Sequence, residues 1–484
     1  MSSQEFLRMQ SRRSFLRDCA CGIGMMSVAH LLESEGRAAA PDILPTVHPL
    51  APKAPHFLPK AKNVIFLFMD GGPSQLDLFD PKPGLAKWNG EPLPPSVARD
   101  LKTAFAKPNA AVLSSDRRFR PYGDSGTEFS DLVPHTASCA DDISVVRSMC
   151  TDAFNHHPGQ LLLLSGTTLP GRPSLGSWVL YGLGSESQNL PGFVVLNSSY
   201  DNKGTFGGPS NWTSGFLPST YGGVPFRRSG DPVLFLSNPS GVSPQLQRHD
   251  LNALRTLNEL HHVDTGDRAI ASRIASYEMA FRLQSAGPEL LDLSKEPEPI
   301  RDMYGINDDE TRPFGTNCLL ARRMVERGVR FVMLAHSTWD HHANLKKNLR
   351  VSCRMTDKPT GALLKDLKQR GLLDSTLVIW GGEFGRTPVV ETRGQTDPEK
   401  VGRDHHPLAF SMWLAGGGIR GGQVIGKTDD FCMSVVEDKI HVNDLQATLL
   451  HCLGFDHTRL TYRHLGRDFR LTDVAGEVVH KLLT

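Results

Sequence analysis

The feature that most constrains this chain is the run Val64-Ile65-Phe66-Leu67-Phe68, which breaks off at Met69-Asp70-Gly71-Gly72. A strand with one face in water alternates apolar and polar residues; this run is apolar at every position. It predicts a strand buried on both faces, as in a parallel sheet covered by helices. Residues 143–146, 329–334, 376–380 and 408–414 read the same way, and helical patterns at 318–326 and 358–369 precede two of them. Strand and helix alternating in this manner predict an α/β, doubly wound, mainly parallel sheet flanked by helices.

A chain of 484 residues has room for one large domain or two ordinary ones. The stretch 185–305 breaks the alternation. Its first half, to about residue 243, is rich in Gly, Pro, Ser and Asn and reads as extended loop. Its second half reads as two polar-faced helices at 248–262 and 269–284. We expect an insertion or cap over the sheet of a domain running from 41 to 484.

Residues 1–40 are read as a targeting segment. Ser11-Arg12-Arg13-Ser14-Phe15-Leu16-Arg17, a short apolar stretch at 19–32 and Ala38-Ala39-Ala40 form a twin-arginine export pattern. The apolar stretch includes His30 and is too short to span a bilayer comfortably. The expectation is a protein handed folded to the twin-arginine machinery and delivered to the periplasm or cell surface, with no transmembrane helix in the mature chain. That route suits a protein that takes up a metal while folding. Lys+Arg total 53 against Asp+Glu 52, so no charge excess draws the chain to nucleic acid. Beyond the leader, Cys139, Cys150, Cys318, Cys353, Cys432 and Cys452 form no C-x-x-C pair, which argues against thiolate zinc sites and leaves disulfides open.

Ligands of parallel sheets gather at the carboxyl ends of the strands. Here those ends run into acidic and histidine-bearing loops. The first strand leads to Asp70, then Asp77 and Asp80. The run 329–334 is followed by His336 and by Trp339-Asp340-His341-His342. The strand ending at Trp380 meets Gly382-Glu383-Phe384-Gly385-Arg386, and Arg403-Asp404-His405-His406 precedes 408–414. Imidazole and carboxylate together are ordinary ligands for Zn, Mn or Fe.

This order of strand–Asp, Asp/His loop, strand–acid–Gly and His before a strand resembles the alkaline phosphatase and sulfatase superfamily. More narrowly, the chain resembles the twin-arginine-exported bacterial family known as domain of unknown function 1501. The match lies in Gly71-Gly72-Pro73-Ser74, Asp80-Pro81-Lys82-Pro83, Ala321-Arg322-Arg323, Trp339-Asp340-x-His342, Gly382-Glu383-Phe384-Gly385-Arg386-Thr387-Pro388, Gly402-Arg403-Asp404-His405 and Gly417-Gly418-Ile419-Arg420-Gly421-Gly422. The superfamily resemblance implies an alkaline-phosphatase-like fold and one or two divalent metals at the strand ends, acting on phosphate or sulfate esters. The metal is expected to be Zn, with Mn, Ca and Mg as alternatives. Asp70, Asp77, Asp340, His341, His342, Glu383, Asp404, His405 and His406 are the candidate ligands. Asp77 rivals Asp70 for one place, and Glu383 is either a ligand or the partner of Arg386.

The departure from the superfamily is at the nucleophile. In His156-His157-Pro158-Gly159-Gln160, leading to Ser165-Gly166, a histidine stands where sulfatases carry Cys or Ser. Phe384 likewise stands where many relatives carry a ligating His. His156 and His157 are therefore expected to move protons for a metal-activated water, and Arg172, Arg386 and Arg403 to clamp an anionic ester, such as a sulfated or phosphorylated glycan. The alternative reading is a catalytically degenerate, metal-stabilised protein that binds anionic glycans or surface partners.

Overall fold

A computed structural model describes residues 48–98, 105–107, 109–198, 204–227, 233, 236–392 and 397–484. The export leader expected at 1–40 lies outside the described residues. The strands that matter here are, in chain order, β1 (Asn63–Met69), β2 (Ile143–Cys150), β3 (Phe193–Asn197), β4 (Val224–Phe226), β5 (Phe331–His336), β6 (Thr376–Gly381), β7 (Gly385–Glu391), β8 (Gly402–His406), β9 (Phe410–Ala415), β10 (Gln423–Ile425) and β11 (Ile440–His441). The helices are α1 (His156–Ser165), α2 (Leu175–Leu183), α3 (Pro244–Thr265), α4 (Arg268–Leu291), α5 (Arg312–Glu326), α6 (Leu345–Gln369) and α7 (Val442–Cys452).

Nine strands form one sheet in the order β10-β2-β9-β6-β1-β5-β3-β4, with β11 added on β2. Only β9 runs against its neighbours, β2 and β6; the other pairs are parallel. The expected mainly parallel α/β sheet is what the chain forms. β1 shows why its sequence is apolar throughout. Ile65, Leu67 and Met69 join a core with α5 and α6, while Val64, Phe66 and Phe68 join a second core with α1, α2 and α7. Burying each such side chain is worth about 1.5–3 kcal/mol, and β1 does so on both faces.

The stretch expected to be loop up to 243 differs. Phe193-Val194-Val195-Leu196 forms β3, in register with β5, and β4 pairs β3, so this segment completes one edge of the sheet. Its apolar run is short and lies among turn-forming residues, which hid it from a periodicity reading. The two helices expected after it are present as α3 and α4. Ser243 and Asp267 cap their N-termini by accepting backbone N–H bonds, and Leu283 and Leu290 of α4 pack into the core beside α5. Cys139, Cys150, Cys318, Cys353, Cys432 and Cys452 are all buried and free of disulfides. Among the described residues no helix is long and apolar enough to cross a membrane.

Because β1, β2, β3, β5 and β6 are parallel, their carboxyl ends share one edge. The turn after β1 lets the loop after β5 lie against it. Gly71 has φ +117°, and a Cβ there would stand 2.5 Å from the Asp340 nitrogen. No residue but glycine accepts both conditions.

Candidate metal centre

Four side chains from three separate segments meet at this edge. His156 opens α1, Asp340 and His342 lie in the loop after β5, and His405 lies on β8, which pairs with β7 as a two-stranded ribbon. One ligand atom from each lies within 4.8 Å of all the others. Asp340 Oδ1 is the hub, at 2.8 Å from His342 Nε2, 3.3 Å from His156 Nε2 and 3.5 Å from His405 Nε2.

The outer nitrogen of each ring is taken. His156 Nδ1 faces Glu383 Oε1 at 2.6 Å, His342 Nδ1 faces a Glu391 carboxylate oxygen, and His405 Nδ1 faces the Phe154 carbonyl at 2.6 Å. Carboxylates and carbonyls only accept, so each Nδ1 carries a proton, and each ring points its Nε2 inward, where loss of the second proton leaves a lone pair for a cation. Two such lone pairs, on His342 and His405, then stand 2.9 Å apart. They repel unless a proton or a cation lies between them. His156 Nε2 is buried without a hydrogen-bond partner. Ligands 2.0–2.1 Å from a tetrahedral zinc are about 3.3 Å from one another, and the spacings here bracket that value. The donor set fits a divalent cation.

In the metal-free chain a proton on His156 takes the place a cation would hold. Burial opposes charge on His156, but the Asp340 and Glu383 carboxylates prevail and raise its pKa to about 9. Burial lowers His405 to about 4, leaving it neutral at ordinary pH. Burial alone would raise Asp340, yet the three imidazoles and Arg386 hold its carboxyl far below the usual carboxylate range. Arg386 Nη2 donates to Asp340 Oδ1 at 2.7 Å while its Nε donates to the Gly72 carbonyl at 2.8 Å.

Beside this cluster lies a second acidic group with different surroundings. Gln160, one turn into α1 from His156, accepts from Gly207 N and Asn211 Nδ2 at 2.8 Å each. Its amide nitrogen is thereby turned toward Asp70 Oδ1 and toward Glu383 Oε1 at 3.3 Å. Gly71 N also donates to Glu383, and Phe206 N to Asp70 Oδ2 at 3.3 Å. Burial first, and the Glu383 charge second, push Asp70 up to about 8.

The sequence pattern of the family described as "Protein of unknown function (DUF1501)" matches residues 61–483. The chain belongs to that family. No curated protein matches it. Among solved structures it is similar to the PsFucS1 sulfatase from Pseudoalteromonas sp., at 13% identity and TM-score 0.34 over 90% of this chain and 72% of that one. It is also similar to the lipoteichoic acid synthase LtaP from Listeria monocytogenes (10%, TM-score 0.36, 87% and 78%). A third is the alkaline phosphatase from the Antarctic bacterium TAB5 (12%, TM-score 0.30, 74% and 92%). At such TM-scores the functional reading of this family member rests on its own site.

The structure gives the remaining expected site residues other surroundings. Asp77 pairs with Arg403 at 3.0 Å and accepts from Ser74 at 2.6 Å, and its pKa is lowered: burial opposes, but Arg403 and these bonds outweigh it. Arg386 and Arg403, expected to clamp substrate, are fully buried and spent on backbone carbonyls and carboxylates. Arg172 lies over the Phe469 ring, 4.3 Å from its centroid. Asp404 accepts from the backbone N–H groups of Phe105, Ala106 and His405. It also offers an oxygen near His342 and Glu391. His341 is buried, 3.3 Å from Ser352 Oγ, and burial drops it to about 3. His406 is buried, lowered by burial to about 4, with Cys432, Met433 and Asp429 as its neighbours. His157 is exposed. Gln160, Glu391 and Phe154 were not anticipated. A glutamine one helical turn after His156 was the one readable signal among them.

Proposed function

We propose that this chain is an exported, metal-dependent hydrolase of phosphate or sulfate esters, with one divalent cation held by His156, Asp340, His342 and His405. The observation that carries the reading is the convergence of three Nδ1-tethered imidazoles on one carboxylate oxygen. Nitrogen-rich sets suit zinc, whereas calcium and magnesium prefer all-oxygen shells. The placement at the carboxyl edge of a parallel sheet and the motif resemblance to phosphatases and sulfatases support ester hydrolysis. The twin-arginine pattern at 11–17 supports export.

A divalent cation supplies Lewis acidity toward an ester oxygen and lowers the pKa of water. The chain's own groups do the rest. Asp340, whose side chain keeps 27% of its exposure, marks the side from which ester and water arrive. Arg386 fixes Asp340, and Glu383, Glu391 and the Phe154 carbonyl fix the rings. Among the described residues none of the four ligands bonds a hydroxyl or thiol, so water is the attacking group. His156 would use Nδ1 on Glu383 and Nε2 on the cation, which leaves the exposed His157 as the proton-transfer imidazole.

The placement of Gln160 supports one ion rather than two. Its amide places a hydrogen-bond donor between Asp70 and Glu383, where a second cation would need their lone pairs. The test of the activity is turnover by purified protein reloaded with zinc, manganese, magnesium or calcium. Aryl phosphates, aryl sulfates and phosphodiesters are the substrates, with a chelator control. Turnover of at least one, abolished by chelation, is expected; silence on all three with every metal would refute it.

A further inference from the structure

Three phenylalanines border the candidate metal centre, Phe105 and Phe206 by their rings and Phe154 by its backbone carbonyl, and they are exposed where phenylalanine is usually hidden. Phe105, Phe154 and Phe206 keep 59%, 49% and 51% of their surface in solvent. Each is fixed by its backbone to a group of the site. Phe105 N donates to Asp404 Oδ2 at 2.6 Å, the Phe154 carbonyl receives His405 Nδ1, and Phe206 N donates to Asp70. The Phe206 ring stacks on His156 with centroids 4.1 Å apart and planes 9° off parallel. The Phe105 ring stands edge-on to His342 and His405 at 5.4 and 6.1 Å. Between them the buried Phe384 contacts His156 and His405. Exposing three such rings on segments bonded to the centre costs solubility and stability, and a ligand seated there recovers that cost. Of the arginines expected to meet a polyanion, Arg386 and Arg403 are buried and spent on carbonyls and carboxylates, and the half-exposed Arg172 lies over the Phe469 ring; the rim rings carry no hydrogen-bonding groups for sugar hydroxyls.

We propose that Phe105, Phe154 and Phe206 form a subsite for an apolar, aromatic group attached next to the scissile phosphate or sulfate. This rests on the hydrolase reading and narrows its substrate from an anionic glycan to an aryl ester. Ring faces accept offset or edge-on aromatic partners, while the ester's anionic head faces Asp340 and the three histidines.

The probes are phenylphosphonate and benzenesulfonate against methylphosphonate, methanesulfonate and glucose 6-phosphate, titrated calorimetrically into zinc-loaded protein. Because binding rather than turnover is read, a failure of the activity assay leaves this test intact. An aryl probe is expected to bind about tenfold tighter than its methyl counterpart. Phe105→Ala with Phe206→Ala is expected to erase that preference while zinc content stays constant. Phe154→Ala, which keeps the carbonyl that holds His405, is expected to reduce it about threefold. Equal affinity for aryl and methyl probes, a preference that survives the double variant, or tighter binding of glucose 6-phosphate would overturn the subsite while leaving the metal centre standing. Absence of binding by any probe would overturn it too, and absence of zinc as well would overturn the reading beneath it.

Discussion

Two groups of ligating side chains lie side by side at the sheet edge, touching through His156 and Glu383. In the group of His156, Asp340, His342 and His405, every imidazole gives its outer proton to an acceptor and points its Nε2 inward. In the group of Asp70, Glu383 and Gln160, the carboxylate oxygens instead receive N–H bonds from Gln160, Gly71 and Phe206. Both are acidic and largely enclosed, yet only the first holds a buried ring nitrogen, His156 Nε2, without a hydrogen-bond partner. The convergence of imidazole nitrogens on one carboxylate oxygen, rather than the count of acids, distinguishes a cation site from a structural network.

Substitutions sharpen that contrast. His405→Ala removes a ligand, and zinc affinity should fall by more than about a hundredfold in competition with a chelating dye. Glu391→Gln keeps the shape but weakens the acceptor that orients His342, so a loss of about 10- to 100-fold is expected in the same titration. Gln160→Glu exchanges the donor for an acceptor, and a second, weaker ion per chain should appear by elemental analysis. If it does not, the amide is not what keeps a cation away. Asp70→Asn should change zinc affinity by less than about twofold, since Asp70 holds amide and backbone donors rather than the ion.

Asp70 also sets a pH effect. Its carboxyl is raised from 3.8 to about 8 in the folded chain, by burial before the Glu383 charge. Between those values the folded state keeps a proton that the unfolded state has released. The contribution is therefore complete below the unfolded pKa and lost as pH rises toward 8. Thermal melts of metal-free protein should show Tm falling across that window, and Asp70→Asn should flatten the fall. A slope unchanged in the variant would assign it to other groups.

Much of the fold was legible because burial on both faces forces an apolar run, and β1, β2, β5, β6 and β9 all advertise one. β3 was hidden by brevity and by its turn-rich setting. In the candidate site, Asp340 and His342 were legible as polar residues shortly after one buried strand, and His405 as one shortly before another. His156 was legible as a site residue, but not as a neighbour of Asp340 and His405, because only the turn of α1 against the ribbon sets that distance. Glu391 and the Phe154 carbonyl act on rings from remote segments, and no local pattern marks an acceptor for another segment's Nδ1. Arg386 and Arg403 show the converse: their charge suggested a surface clamp, whereas the folded chain uses both to bind buried carbonyls and carboxylates.

Anomalous diffraction at the zinc edge from crystals of the mature protein would locate the ion directly. One peak bounded by His156 Nε2, His342 Nε2, His405 Nε2 and an Asp340 oxygen is the predicted result. A peak between Asp70 and Glu383, or no peak in a protein shown by elemental analysis to carry no metal, would contradict it.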